Sequence, residues 1–322
     1  MGSFHTGGAA PPLAFRAASS RCRRSLAVGL AIGAVVALLS GEARVARADT
    51  TSATSNRAAR NEAMSAIPWR QMSPQHRRTA QSVVQNTSIY RRLPTRVIDC
   101  DPEVFTFLIQ HPEVVIDIWR VMGISQVALQ KRPDGSYRGA DGAGTSGTVR
   151  FLHADWGQNA QNTAVVFAEG AYEGKPFVTP LKAKTVMLLR SGAVRETNGR
   201  HYVTVRIDSF LHLEQMGVEL VAKTVQPWIN KTADQNFIET LTFVSNFSRT
   251  AEKNPEGMQR LAGRLSALDE PTRNELVALC FRTAERYAHR DDATRTSATH
   301  LAKRTNATIA AAQWIGPVAD RD

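Results

Sequence analysis

The chain has 322 residues, of which 40 are Lys or Arg and 29 are Asp or Glu, so its net charge is +11. Its three cysteines are too few for the closely spaced disulfide framework of a small secreted domain. The basic surplus is not gathered into Lys/Arg-rich runs with interleaved aromatic residues, so nucleic acid is not an expected partner.

The first 48 residues have the pattern of a secretory signal peptide. A basic stretch from Arg21 to Arg24 precedes an apolar run from Leu26 to Leu39, and Ala46-Arg47-Ala48 supplies small residues for cleavage. The run is shorter than the about 20 residues that cross a bilayer. We therefore predict export to the periplasm or the cell exterior with cleavage after Ala48; an uncleaved anchor is the alternative. Removing six Arg and one Glu leaves the mature chain at +6, which is compatible with an anionic membrane surface as a partner.

Residues 49–94 are predicted to be a flexible lead with one short helix. From Asp49 to Glu62 the chain is rich in small and polar residues and has no apolar periodicity. A helix is expected from Pro74 to Asn86, because Ser73 can cap it and proline is favoured at the first helical position.

The next part of the chain predicts a strand, two helices and then several strands. The strand at Arg96–Cys100 is followed by a helix that starts at Asp101-Pro102. After a break at His111-Pro112, a second helix is closed by Gly123. The clearest strand is the strict alternation of apolar and polar residues from Val203 to Asp208. The other strand patterns lie at residues 127–130, 149–153, 164–168 and 185–189.

The rest of the chain is predicted to be helical up to residue 290. From His212 onwards apolar residues recur at three- and four-residue steps, and Pro227 is expected to kink or break this helix because proline lacks a backbone N–H. Two amphipathic stretches in residues 250–290 predict a helical hairpin, which most simply packs on the main domain. Residues 291–322 contain little apolar sequence and are predicted to be a disordered tail.

Cys100 and Cys280 are the cysteines that remain after the predicted cleavage. They either form one long-range disulfide or are buried as free thiols, which pack like small hydrophobic groups.

In its order of elements, the stretch from residue 95 to residue 249 resembles the helix-grip fold of the START-like superfamily, which includes lipid-transfer, polyketide-cyclase and allergen-type proteins. The shared order is a strand, two short lid helices, several antiparallel strands and a final helix. The resemblance covers about half of the chain. It implies an α+β fold in which a curved antiparallel sheet grips a C-terminal helix, followed here by the helical hairpin. The family's last helix is normally continuous, so Pro227 is a departure, and the superfamily shares no catalytic motif.

The resemblance also implies an apolar cavity between the sheet and the gripped helix. The residues expected to face this cavity are Trp119, Phe151, Phe167, Val205 and Val221. His153 and Arg206 are candidate polar groups for orienting a ligand. We expect His153 to share a strand face with Phe151, because side chains two residues apart point to the same side.

Two short motifs suggest chemistry but lack the context that the chemistry needs. Gly142–Val149 matches a glycine-rich nucleotide loop, yet a strand follows it instead of a helix, so it is interpreted as a hairpin connection. His153 and Asp155 would lie on one strand face, as an acid–base or metal pair requires, but no third ligand has matching spacing. No metal and no cofactor are predicted, and these two residues are the candidates for catalysis.

Three functions are consistent with these patterns. The preferred one is an exported binding or carrier protein for an apolar small molecule, in particular a lipid, with no turnover of the ligand. The second is a cyclase- or hydrolase-like enzyme on the same fold that uses His153 and Asp155. The third is a structural or interaction protein of the cell envelope with a solid interior, in which the hairpin at residues 250–290 contacts a partner or forms a homodimer.

Overall fold

The fold is taken from a computed structural model that describes residues 52–174, 179–197, 199–214 and 218–289, with side chains omitted for residues 218–229. The predicted signal peptide and the predicted tail both lie outside the described residues.

The described residues form one antiparallel sheet of eight strands. The strands are β1 (Ile89–Arg92), β2 (Arg96–Asp99), β3 (Ala128–Lys131), β4 (Tyr137–Ala140), β5 (Thr145–Trp156), β6 (Asn162–Tyr172), β7 (Leu181–Arg195) and β8 (His201–Leu213). Their order is β1-β8-β7-β6-β5-β4-β3, and β2 pairs with β8 as well. β1 and β2 follow each other along one edge of β8, from the Ile89–Leu211 pair to the Asp99–Tyr202 pair, so they behave as one interrupted strand.

Every predicted strand overlaps a strand of the sheet, whereas β1 and β4 were not predicted. Both are only four residues long, and β4 contains Gly139, so neither has enough alternation to be recognised. The glycine-rich segment proves to be the β4–β5 hairpin connection, as predicted.

The described residues also form seven α-helices. They are α1 (Arg57–Ala66), α2 (Pro74–Gln85), α3 (Pro102–Gln110), α4 (Pro112–Val121), α5 (Val218–Lys253), α6 (Pro255–Ala262) and α7 (270–289). The capping prediction for α3 is confirmed, since Asp101 Oδ1 accepts hydrogen bonds from the backbone N–H groups of Glu103 and Val104 at 2.9 and 3.3 Å.

The sheet separates two hydrophobic clusters. On one face, side chains of α3, α4 and α5 pack with sheet residues such as Val205 and Ile207. On the other face, α1 and α2 bury Ala63, Val83 and Val84 against β5 to β8. The short helix expected from Pro74 is confirmed as α2, with Ser73 as its cap. The expectation of a flexible lead is corrected where α1 and β1 form. Alanines made the apolar side of α1 too small for the sequence pattern to reveal.

The gripped helix is also longer than expected. The break predicted at Pro227 is wrong, because α5 runs as a single helix of 36 residues from Val218 to Lys253. A proline removes one backbone hydrogen bond, whereas a helix of this length retains the others and the tertiary contacts of Phe237, Leu241 and Val244.

The C-terminal hairpin is part of the main hydrophobic core. Met258 of α6 and Leu276 and Cys280 of α7 are buried in the same cluster as α3, α4 and α5. Cys100 and Cys280 are both free and buried, so the disulfide alternative is not realised.

The architecture is therefore α+β: an antiparallel sheet with helices on both faces and a long C-terminal helix across one of them. This confirms the predicted fold class, and the order of the elements is compatible with a helix-grip fold.

Candidate functional site

An apolar cavity lies between the sheet, the two helices α3 and α4, and α5, and its volume is about 120 Å³. A water molecule occupies about 10–15 Å³ on this scale, so the cavity has room for about ten groups of that size. Its walls are almost entirely apolar. The helices contribute Leu108, Ile109, Val115, Ile116, Phe237, Leu241 and Val244, and the strands contribute Val149, Phe151, Trp156, Ala164, Val166, Leu189, Val205 and Ile207.

Two of the predicted wall residues line this cavity. Phe151 and Val205 face it from β5 and β8, and the ring of Phe151 meets the ring of Trp156 edge-on at 5.8 Å. Trp119 does not line it. Its side chain is 1% exposed and packs edge-to-face against Phe243, with ring centroids 5.5 Å apart, so it joins α4 to α5 within the solid part of the core.

A β-bulge in β5 moves His153 to the other face of the sheet. Phe151 is paired with Val166, but His153 is paired with Val165, so Leu152 is the extra residue. Val166 lines the cavity, whereas Val165 is buried beneath α1 and α2. The expectation that His153 and Phe151 share a face is therefore wrong, because a single inserted residue reverses the alternation beyond it.

Asp155 follows His153 onto this second face, where it is exposed. The two side chains thus share a face, as predicted, but it is the face opposite the cavity. His153 Nε2 is enclosed without a hydrogen-bond partner. The described residues contain no group of three or more His, Cys, Asp or Glu arranged to hold a metal ion.

Phe167 and Arg206 also belong to the second face. Phe167 is buried in the cluster under α1 and α2, with the Arg150 guanidinium 5.5 Å from its ring centre. Arg206 lies 3.8 Å from Glu62 of α1. Neither residue contacts the cavity. Val221 lies in α5, but its side chain is outside the described residues.

A buried ion network joins α1 to the second face. Asp208 is fully buried and accepts hydrogen bonds from Tyr90 Oη at 2.6 Å, from Arg92 Nε at 2.7 Å and from Arg190 at 3.1 Å. Burial and the bond to Asp208 raise the pKa of Tyr90. The bond from Arg190 lowers the pKa of Glu62, which also pairs with Arg92. These opposite charges pair with one another inside the protein, so we interpret the network as structural.

The cavity contains three polar residues that the sequence did not single out. Asp141 and Thr145 flank the β4–β5 turn, and Thr240 belongs to α5. Thr145 and Thr240 are 3% and 7% exposed, and their hydroxyl oxygens have no hydrogen-bond partner. The sequence could have identified Thr240, because this polar residue interrupts the apolar stripe of Phe237, Leu241 and Val244. Thr145 was considered only as part of a glycine-rich loop.

No protein-family model matches this chain, and a comparison with curated proteins finds no match. None of the helices in the described part of the chain combines the length and the apolar character that a bilayer crossing requires.

Proposed function

We propose that this chain is a START-like helix-grip protein that is exported and that binds or carries a small apolar molecule of the lipid type without converting it. The observation that carries the proposal is the cavity between the sheet and α5, whose walls are apolar on the helix side and the sheet side alike. Burying about 200 Å² of apolar ligand surface there would contribute about 5 kcal/mol.

Binding is favoured over turnover by the position of the titratable residues. A general acid or base must come within hydrogen-bond reach of the reacting group. His153 and Asp155 lie on the face of the sheet opposite the cavity, and among the described lining residues Asp141 is the only ionisable one. An enzyme that uses His153 and Asp155 would therefore require a ligand on the opposite face of the sheet.

The envelope-interaction alternative expects the hairpin at residues 250–290 to contact a partner, and the apolar side of this hairpin is not free to do so. The apolar positions of α6 and α7, such as Met258 and Leu276, are buried within their own chain. A homodimer through the C-terminal helices and contact with an anionic membrane surface remain predictions. Either contact would have to be made by polar residues.

The proposal is tested by native mass spectrometry of the protein purified from its natural host. The wild-type protein is expected to carry an additional mass that is released on unfolding and behaves as an apolar small molecule. A protein that is consistently free of ligand would contradict the proposal.

A cavity-filling variant provides the matched comparison. Val166→Phe adds volume to the cavity wall and is expected to reduce the ligand-bound fraction, whereas Val194→Phe makes the same change at a position that is 62% exposed and should leave it unchanged. Equal ligand occupancy in the two variants would mean that the ligand binds outside this cavity. Thermal unfolding of both variants verifies that they are folded.

A further inference from the structure

The only ionisable residue among the described residues of the cavity wall is Asp141. It follows β4 and begins the turn into β5. Its Oδ1 atom accepts hydrogen bonds from the backbone N–H groups of Ala143 and Thr145, both at 2.8 Å. Gly142 and Gly144 have φ values of +68° and +111°, so the turn needs glycine at these positions. The carboxylate is thereby held in a fixed orientation at the cavity.

The second oxygen of the same carboxylate has no partner. Asp141 Oδ2 is enclosed by the protein and receives no hydrogen bond. Leaving a buried acceptor unsatisfied is unfavourable, and more so for a charged group. An ionised carboxylate oxygen can only accept a hydrogen bond, so a ligand group that pairs with Oδ2 must be a donor.

Two neutral hydroxyl groups accompany the carboxylate. Thr145 and Thr240 are more than nine-tenths buried, line the cavity and lack partners for their Oγ1 atoms. A hydroxyl can donate as well as accept, so these residues tolerate either kind of ligand group. The lining contains no Lys, Arg or His among its described residues that could neutralise an anionic ligand.

We propose that the ligand of this cavity is a neutral or cationic amphiphile whose hydroxyl or ammonium group donates a hydrogen bond to Asp141, and that carboxylate amphiphiles such as fatty acids are rejected. This inference rests on the proposed binding function and specifies its ligand class. Rejection follows from charge, because two carboxylates brought together without a cation repel each other in a medium of low dielectric constant.

Three probes with the same ten-carbon chain separate the head-group chemistries: decan-1-ol, decylamine and decanoate. Ten chain atoms correspond to the about ten groups that the cavity volume admits. Calorimetric titration at pH 7, below the micelle concentrations, is expected to give affinities for the alcohol and the amine about tenfold higher than for decanoate. The comparison between alcohol and amine then decides which donor the site prefers.

Asp141→Asn removes the charge but retains Oδ1 for the turn. It is expected to lower the affinity for decylamine about tenfold and to raise that for decanoate. Asp155→Asn removes an equivalent charge from the opposite face of the sheet and should leave the order of the three probes unchanged.

Tight binding of decanoate by the wild-type protein, or an unchanged probe order in Asp141→Asn, would overturn the inference and leave the proposed binding function standing. Failure of all three probes to bind the wild-type protein would overturn the proposed function and the inference together. Because the wild-type titrations alone can support or overturn the inference, a variant that folds poorly does not prevent the test.

Discussion

Asp208 shows how one buried carboxylate can hold two layers of a protein together. It is fully buried, and it receives hydrogen bonds from Tyr90 and Arg92 at the sheet edge and from Arg190 of β7. The two arginines also bind Glu62 of α1. Without the negative charge of Asp208, the positive charges of Arg92 and Arg190 would be only partly neutralised by Glu62.

We expect Asp208→Asn to lower the free energy of unfolding by about 3 kcal/mol, because breaking a buried ion pair leaves an unpaired charge behind. Urea unfolding followed by circular dichroism measures this. The matched control is Asp155→Asn, an exposed aspartate on the same face of the sheet, which should change stability by less than about 0.5 kcal/mol. Equal effects of the two substitutions would show that the Asp208 network does not stabilise the fold.

The two cysteines give a second expectation at the residue scale. Both are buried and free, and burial raises the pKa of each thiol, to about 12 for Cys280. Since the thiolate is the reactive species, neither residue should react with a thiol reagent in the folded protein at pH 8. The thiols of Cys100 and Cys280 should become reactive only when the protein unfolds in denaturant. Rapid labelling of one thiol under native conditions would contradict its burial.

At the scale of single residues, the sequence predicted what local chemistry determines. Asp101 caps α3, and Gly123 has a φ of +68° just beyond α4, both as expected. The face on which His153 lies could not be predicted, because it depends on a bulge that the local sequence does not mark. The position of Asp141 in the cavity wall could not be predicted either, since it depends on the path of the β4–β5 turn.

Among the elements, the hairpin of α6 and α7 packs on the main domain, as the simplest interpretation of its sequence predicts. Its apolar side is buried against the main core, and Asp117 of α4 accepts a hydrogen bond from the Ala267 backbone N–H at 3.2 Å. At the other end, Arg286 of α7 donates hydrogen bonds to both carboxylate oxygens of Asp101 at 3.0 Å. The hairpin therefore belongs to the same folding unit as the sheet.

Leu276→Ala tests this organisation. Leu276 is 1% exposed, so its truncation should lower the free energy of unfolding by about 3 kcal/mol in one cooperative transition that includes the sheet. Asn274→Ala, at an exposed position on the same helix, should have little effect. Circular dichroism at wavelengths for helix and for aromatic packing should give coincident curves. A separate early transition for helix alone would mean that the hairpin folds independently.

Periodic patterns predicted elements better than they predicted contacts between elements. The alternation in β8 is visible in the sequence because one face of that strand is apolar and the other carries Arg206 and Asp208. α1 gave no signal, because its buried residues Ala59 and Ala63 are small. The continuity of α5 past Pro227 is a consequence of tertiary packing, which local propensity cannot reveal.

At the scale of the whole molecule, the sheet separates two hydrophobic clusters of different character. One face has a charge-bridged contact with α1 and α2, and the other combines a packed core with an apolar cavity. Composition and element order were sufficient to predict the α+β class. They could not indicate which strand residues face the cavity, because the candidate wall residues were assigned by alternation along strands whose registers were unknown.

The interrupted edge strand has a consequence for the time that the chain needs to fold. β1 and β2 pair with β8, and Tyr90 and Asp208, which meet across that edge, are 118 positions apart in the chain. Pairing between such distant residues requires a loop closure whose entropic cost comes before any favourable contact forms. We therefore expect a folding time at the slow, millisecond-to-second end of the range for single domains. Until β5 to β8 have formed the sheet, the apolar sides of α1 and α2 lack the surface that they cover in the folded protein. We therefore expect the nascent protein to be prone to aggregation during this period.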